Sequence, residues 1–136
     1  RLDEMQAAIL RARLPHLPAW TTRRRYIAAR YRLALENAVV TVPREFDAGH
    51  VYHLFPVLTP SRDAFIAHLA SRGVEALIHY PVPITKQPAI AAQRPADCPV
   101  ANRVCSEVVS LPIYPGLSDD SVAAVADAAR SFQRSS

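Results

Sequence analysis

The stretch Val51-Tyr52-His53-Leu54-Phe55-Pro56-Val57-Leu58-Thr59-Pro60-Ser61-Arg62-Asp63-Ala64-Phe65-Ile66-Ala67-His68-Leu69-Ala70-Ser71-Arg72-Gly73 decides the fold. Its first eight residues are mostly apolar and aromatic, the composition of a strand. Pro56 has no N–H to give to a ladder, which predicts an edge position or a bulge. Ser61 then stands where a helix N-cap belongs, with Asp63 in the first turn and Phe65, Ile66 and Leu69 along the buried side. Gly73 follows as the C-terminal stop. A strand that runs straight into an amphipathic helix, in a chain of 136 residues, calls for a layered domain.

Working outward, Ala38-Val39-Val40-Thr41-Val42, closed by Pro43, reads as a short strand, and residues 44–49 as a polar loop. Residues 74–79 read as a third strand, ended where Pro81 and Pro83 force an extended chain. The next stretch holds 5 prolines (Pro81, Pro83, Pro88, Pro95, Pro99), so long regular structure is not expected there. Residues 100–108 read as a short helix and residues 109–115 as an extended segment turning at Gly116. Ser118, Asp119 and Asp120 open a last helix with Val122, Val125, Ala126 and Ala129 on its inner side.

Toward the start, Leu2, Met5, Ile9 and Ala12 recur at helical spacing, with Asp3 and Glu4 in the first turn and Arg11 and Arg13 in the last. Pro15 and Pro18 are expected to break this helix. A second helix over residues 19–36 places Trp20, Ile27, Tyr31 and Ala34 on one stripe, with Thr21 or Thr22 as its cap. The fold class expected is therefore α+β, with helices packed on a small, mostly antiparallel sheet.

With 50% hydrophobic and 21% charged residues the chain is neither disordered nor fibrous. No apolar run approaches the roughly 18 residues of a membrane helix, so no membrane partner is expected. Asp3, Glu4, Arg11 and Arg13 interrupt anything resembling a signal peptide. Because the sequence opens at Arg1 in the middle of a helical pattern, it reads as a piece of a longer protein.

Net charge is +4, and Lys86 is the one lysine among 16 basic residues. Arg23-Arg24-Arg25, with Arg30 and Arg32, is the single basic cluster. Three consecutive arginines fan around a helix rather than forming a stripe, which predicts a solvated helix face and no nucleic-acid partner. Cys98 and Cys105 make no disulfide framework and are expected to be small buried hydrophobes in a reducing compartment.

Self-contained catalytic motifs are missing. The 3 glycines (Gly49, Gly73, Gly116) are scattered, so no phosphate loop forms. His50 and His53 lie three apart in a strand-like run and so point to opposite faces, which argues against a metal pair. The unusual segment is His79-Tyr80-Pro81-Val82-Pro83-Ile84-Thr85-Lys86-Gln87-Pro88. It crowds an imidazole, a phenol, a hydroxyl, an ammonium and an amide into a proline-stiffened loop, where side chains are held for recognition at low entropic cost.

Four blocks, in this order, carry a family resemblance: Arg1-Leu2-Asp3-Glu4-Met5-Gln6-Ala7-Ala8-Ile9-Leu10; His50-Val51-Tyr52-His53-Leu54-Phe55; His79-Tyr80-Pro81-Val82-Pro83 with Gln87-Pro88; and Ser110-Leu111-Pro112-Ile113-Tyr114-Pro115. The chain resembles the DegT/DnrJ/EryC1/StrS family of sugar aminotransferases, which depend on pyridoxal phosphate. The resemblance implies the C-terminal part of a bacterial, cytoplasmic, homodimeric enzyme of fold type I. Residues 1–36 would be the helical segment leading in from a large domain, and residues 37–136 the small domain. It further implies amino transfer, with glutamate as the donor, onto a keto group of a nucleotide-linked sugar.

In the family the Schiff-base lysine lies upstream of the block that opens at Arg1, so no catalytic residue is expected in this chain, and Lys86 is no replacement. Arg1 would stand near the cofactor as the remaining half of an Asn-x-Arg motif. His79, Tyr80, Thr85, Lys86 and Gln87 would line the substrate side. The family often has a His where this chain has Thr85, and an aromatic where it has Ile90, so the accepted sugar is left open. The alternative is a non-catalytic dimerisation or regulatory module related to the family. For the isolated chain the expectation is no transamination, and self-association through the apolar faces of Leu2, Ile9, Trp20 and Tyr31.

Overall fold

The computed structural model describes residues 3–91 and 97–133. Arg1 and Leu2 lie outside them. The elements run α1 (Glu4–Arg13), a 3-10 turn (Leu14–His16), α2 (Leu17–Ala34), β1 (Phe55–Leu58), α3 (Arg62–Ser71), a 3-10 turn (Ile84–Lys86), α4 (Pro88–Ala91), α5 (Pro99–Glu107), β2 (Val108–Leu111) and α6 (Asp119–Arg130). β1 and β2 pair antiparallel, with Phe55 opposite Leu111 and Leu58 opposite Val108. Helix α6 packs on both α2 and α3, and α3 packs on β2, the α+β architecture the sequence implies.

Local chemistry accounts for most element ends. The Asp3 carboxylate accepts the Met5 N–H at 2.8 Å, and the Ser118 hydroxyl accepts the Ser121 N–H, so α1 and α6 begin at side-chain caps. α3 ends at Gly73, φ +73°, where the Gly73 N–H reaches the Ala70 carbonyl and the Val74 N–H reaches Leu69. That pair of bonds is a Schellman motif, and Val74 and Leu69 are both buried behind it. Pro56 is accommodated because Leu58, two residues on, turns its N–H away from β2 toward Thr41; the missing donor of Pro56 faces the same way.

The core is one cluster. Tyr31, Phe55, Phe65, Ile27, Leu69, Val57, Val109 and Val122 are its largest fully buried side chains. The Tyr31 hydroxyl donates to the Pro112 carbonyl at 2.8 Å, and its ring meets Phe55 edge-on at 5.1 Å. Phe65 packs on Phe132 at 5.1 Å, joining α3 to the end of α6.

Several sequence expectations are corrected. The strands expected over residues 38–42 and 74–79 shrink to single bridges, Thr41 to Leu58 and Leu77 to Ser110. Ala38 is still hydrogen-bonded into the turn that ends α2, Pro43 has no N–H, and Val74 is used by the Schellman motif, so too few residues remain for a ladder. The strand expected from Val51 starts only at Phe55, because Tyr52 adopts φ +50° and the Tyr52 and His53 carbonyls are taken by Arg24. Ser61 holds the N-cap position of α3 without a side-chain cap bond. Thr21 and Thr22 cap nothing; α2 already begins at Leu17, and the Thr22 hydroxyl donates back to the Pro18 carbonyl. Pro15 and Pro18 fall in the first turns of the Leu14–His16 and Leu17–Ala34 helices, where a missing N–H costs nothing, so the chain bends without leaving helix.

Cys98 and Cys105 are free and half-buried rather than buried. Tyr31, expected on an exposed apolar face, is core. Trp20 is half-buried, and Ile9 is exposed along with Met5, Leu10, Leu14 and Leu17.

The arginines give the largest correction. Arg24 Nη1 donates to the carbonyls of Tyr52, His53 and Ile113 at 3.0, 3.1 and 2.9 Å. Arg23 donates to the Leu117 carbonyl and pairs with Asp119 at 2.7 Å; Arg25 donates to the His50 carbonyl; Arg32 reaches the Pro43 carbonyl. These side chains fasten α2 to three loops, because loop carbonyls without ladder partners need donors. The solvated face read from the sequence is instead a set of structural clamps.

Candidate functional site

Three bonds hold the segment after α3 against β2. The Leu77 N–H and C=O pair with the backbone of Ser110, and the His79 Nδ1 lies 3.0 Å from the Ser110 Oγ. Ser110 is 5% exposed, so its hydroxyl is satisfied chiefly by this imidazole. His79 is thereby fixed on the wall of a cleft of about 550 Å3 that His53, Glu75, Ser110, Pro112 and Tyr114 also line. The His79–Tyr80 peptide is cis, and the two rings meet edge to face at 5.6 Å.

Beyond His79 the chain becomes an arm. Tyr80 is 70% exposed. The 3-10 turn Ile84–Lys86 closes with the Lys86 N–H on the Pro83 carbonyl at 2.9 Å, and the Gln87 N–H follows on Ile84 at 3.0 Å. Lys86 and Gln87 are exposed, and the Gln87 amide makes one long bond, 3.4 Å, to the Val82 carbonyl. Thr85 differs from its neighbours: its Oγ1 is buried and without a hydrogen-bond partner among the described residues. A buried hydroxyl left unpaired costs on the order of 1–3 kcal/mol, which sets Thr85 apart from the exposed side chains around it.

Of the five substrate-side residues expected from sequence, only His79 stands on the cleft wall; Tyr80, Thr85, Lys86 and Gln87 sit together on the arm and outside that lining. Arg1, the expected cofactor contact, lies outside the described residues. Sequence reasoning missed Ser110 as a site residue. Its place in the Ser-Leu-Pro block was the available signal, but only the bridge to Leu77 shows that it faces His79.

His50, considered for a metal, instead accepts the Tyr52 N–H on Nδ1 at 3.1 Å. Among the described residues no group of three or more His, Cys, Asp or Glu converges to hold a metal ion. Burial pushes the Tyr31 hydroxyl well above its ordinary range. Burial, and next the neighbouring Glu45 carboxylate, push Tyr52 in the same direction.

The described residues do not by themselves fit pyridoxal phosphate. A Schiff base needs a lysine inside the site, and Lys86 stands exposed on the arm, away from the cleft wall.

The described residues thus form an α+β domain with a cleft walled by His79 and an exposed arm that follows it. The chain belongs to the DegT/DnrJ/EryC1/StrS aminotransferase family, whose sequence model matches residues 1–130. It is 43% identical over 139 residues to a dTDP-3-amino-3,4,6-trideoxy-alpha-D-glucose transaminase of Streptomyces venezuelae, covering 97% of this chain and 36% of the relative. It is 39% identical over 140 residues to a protein of Geobacillus stearothermophilus named pleiotropic regulatory protein, covering 98% of this chain and 38% of the relative. Among solved structures, S. venezuelae DesV superposes with a TM-score of 0.90 at 42% identity, over 96% of this chain and 36% of that one. The chain thus spans little more than a third of the length of the relatives it matches.

Proposed function

We propose that this chain is the C-terminal part of a pyridoxal-phosphate-dependent enzyme that moves an amino group, with glutamate as donor, onto the keto group of a nucleotide-linked sugar. The observation that carries the reading is the family match across residues 1–130, joined to a TM-score of 0.90 against DesV. The cofactor, when bound, supplies the electron sink for amino transfer, and its lysine comes from protein outside this chain.

Within the reading, residues 1–36 lead in from a large domain and residues 37–136 form the small domain. Arg1, as the remaining half of an Asn-x-Arg motif, belongs near the cofactor. His79, oriented by Ser110, faces the sugar. Tyr80 stands on the substrate side with it, and Thr85, Lys86 and Gln87 supply contacts to the substrate or its diphosphate; the exposure of Lys86 and Gln87 supports this. The enzyme works as a cytoplasmic homodimer. The exposed Met5, Ile9 and Leu10 support burial of α1 against further protein, and self-association of these residues when alone.

The test is spectroscopic. The full-length protein should show the visible absorbance of bound cofactor, lost on adding glutamate and restored by a keto-sugar nucleotide, while residues 1–136 alone should transfer no amino group. A full-length protein that neither binds the cofactor nor carries a lysine for it would favour a regulatory module instead. The Geobacillus relative, named a pleiotropic regulatory protein, supports that second reading.

A further inference from the structure

A second cleft, of about 520 Å3, opens at the Arg13 end of α1 and has Arg13, Leu17, Trp20, Thr21, Arg24 and His53 among its walls. None of these is a residue assigned to amino transfer above. No Asp or Glu lines the cleft, and no ion pair among the described residues involves Arg13, Arg24 or His53. The contrast lies on the same molecule. The cleft around Arg32 and Arg44 carries Glu45 and Asp47 in its own walls, so its charge is already balanced.

Trp20 organises the unbalanced site. The Arg13 guanidinium lies over the indole at 5.2 Å, and His16 stacks on the same ring at 5.6 Å. Holding a guanidinium on an aromatic face fixes its plane and leaves its N–H edge free to donate. Arg24 spends Nη1 on three carbonyls, while its Nε and Nη2 make no hydrogen bond among the described residues. Thr21 adds a hydroxyl to the same wall.

We infer that this cleft binds an oxyanion, the phosphoryl group of a small phosphorylated molecule, between Arg13, Arg24, Thr21 and His53. Guanidinium forks match phosphate oxygens in geometry as well as in charge, and two cations with no facing acid leave a local potential that a dianion neutralises. The room beyond one phosphate accommodates the rest of such a molecule.

Trp20 is the one tryptophan of this sequence and sits in the wall, so it reports directly. Inorganic phosphate is titrated into the full-length protein against sodium chloride at matched ionic strength, and the fluorescence of Trp20→Phe is subtracted. The expected result is a saturable change with phosphate that chloride does not give. Arg13→Gln should weaken it at least tenfold and His53→Gln severalfold, with the far-ultraviolet circular dichroism unchanged. Arg13 is exposed and holds no backbone group, so its removal should leave the fold intact. A linear response equal to that of chloride, or wild-type affinity in both Arg13→Gln and His53→Gln, overturns the inference. Glutamate saturating the signal where phosphate does not would overturn the phosphoryl assignment in favour of a carboxylate.

Discussion

Replacing Arg24 with Met tests the clamp that joins α2 to the two loops beneath it. The substitution keeps an apolar stem of similar length and removes every donor. Arg24 Nη1 carries two hydrogens, shared among the carbonyls of Tyr52, His53 and Ile113 at 3.0, 3.1 and 2.9 Å. A hydrogen bond from a charged group contributes about 1.5–3 kcal/mol, and the partial exposure of these favours the lower end. Two such bonds give about 3 kcal/mol. The entropy of unfolding of a domain this size is on the order of 0.3 kcal/mol/K, so the melting temperature should fall by about 10 °C. The assay is thermal unfolding followed by circular dichroism, with Arg25→Met as the comparison. Arg25 is exposed and makes one bond, to the His50 carbonyl, so its loss should cost about 1 kcal/mol or less. If Arg24→Met moved the melting temperature no further than Arg25→Met, the cluster would be the solvated face that its spacing suggests, and the clamp would be wrong.

Three further outcomes follow from the same structure. Gly73→Ala should cost about 1–2 kcal/mol from its φ of +73° alone, since an added Cβ meets nothing within 4 Å, whereas Gly116→Ala, with only ordinary contact to Tyr114, should be close to neutral; urea midpoints would separate the two. Phe65→Ala should cost about 3–5 kcal/mol, because it empties the fully buried contact with Phe132; a loss below 1 kcal/mol would show that α3 does not pack on α6 as described. Tyr31 and Tyr52 have folded pKa values raised above the ordinary value near 10, so their stabilisation is complete below that pH. As pH rises past 10 the unfolded chain loses these protons first, and stability should drop by up to about 1.4 kcal/mol per pH unit for each group. Urea midpoints between pH 9 and 11 should show the slope, and Tyr31→Phe should flatten it; an unchanged slope would sink the assignment.

What could be read in advance were the elements whose signals are local. Ser118 with Asp119 and Asp120 announces α6, Gly73 announces the end of α3, and the spacing of Phe65 and Leu69 gives the buried side, because cap and helix period act within one or two turns. The strands fared worse for a physical reason. Apolar runs at residues 38–42 and 74–79 look like strands, but a strand exists only through donors and acceptors elsewhere in the chain. Here those groups are already engaged by the turn ending α2 and by the Schellman motif. The arginines failed in the same way. Nothing between residues 20 and 30 says that carbonyls at Tyr52, His53 and Ile113 lack ladder partners and stand within reach.

The candidate site repeats that division. The proline-stiffened segment after His79 stood out by composition, and a turn did form over Ile84–Lys86 as prolines favour. Which of its side chains does what was not legible, because that depends on Ser110, thirty-one residues away and paired through Leu77. Placement also splits the segment's chemistry. His79 is anchored to the sheet and can hold a fixed geometry, while the Lys86 and Gln87 side chains stand exposed on the arm. In the function proposed, specificity falls mainly to the wall, where a misplaced donor cannot relax, and to Thr85, whose hydroxyl is the one buried and unpaired side-chain group of the described arm. Within that arm, substitutions at Thr85 should therefore change which ligand is accepted more than substitutions at Lys86, which act on affinity through charge alone.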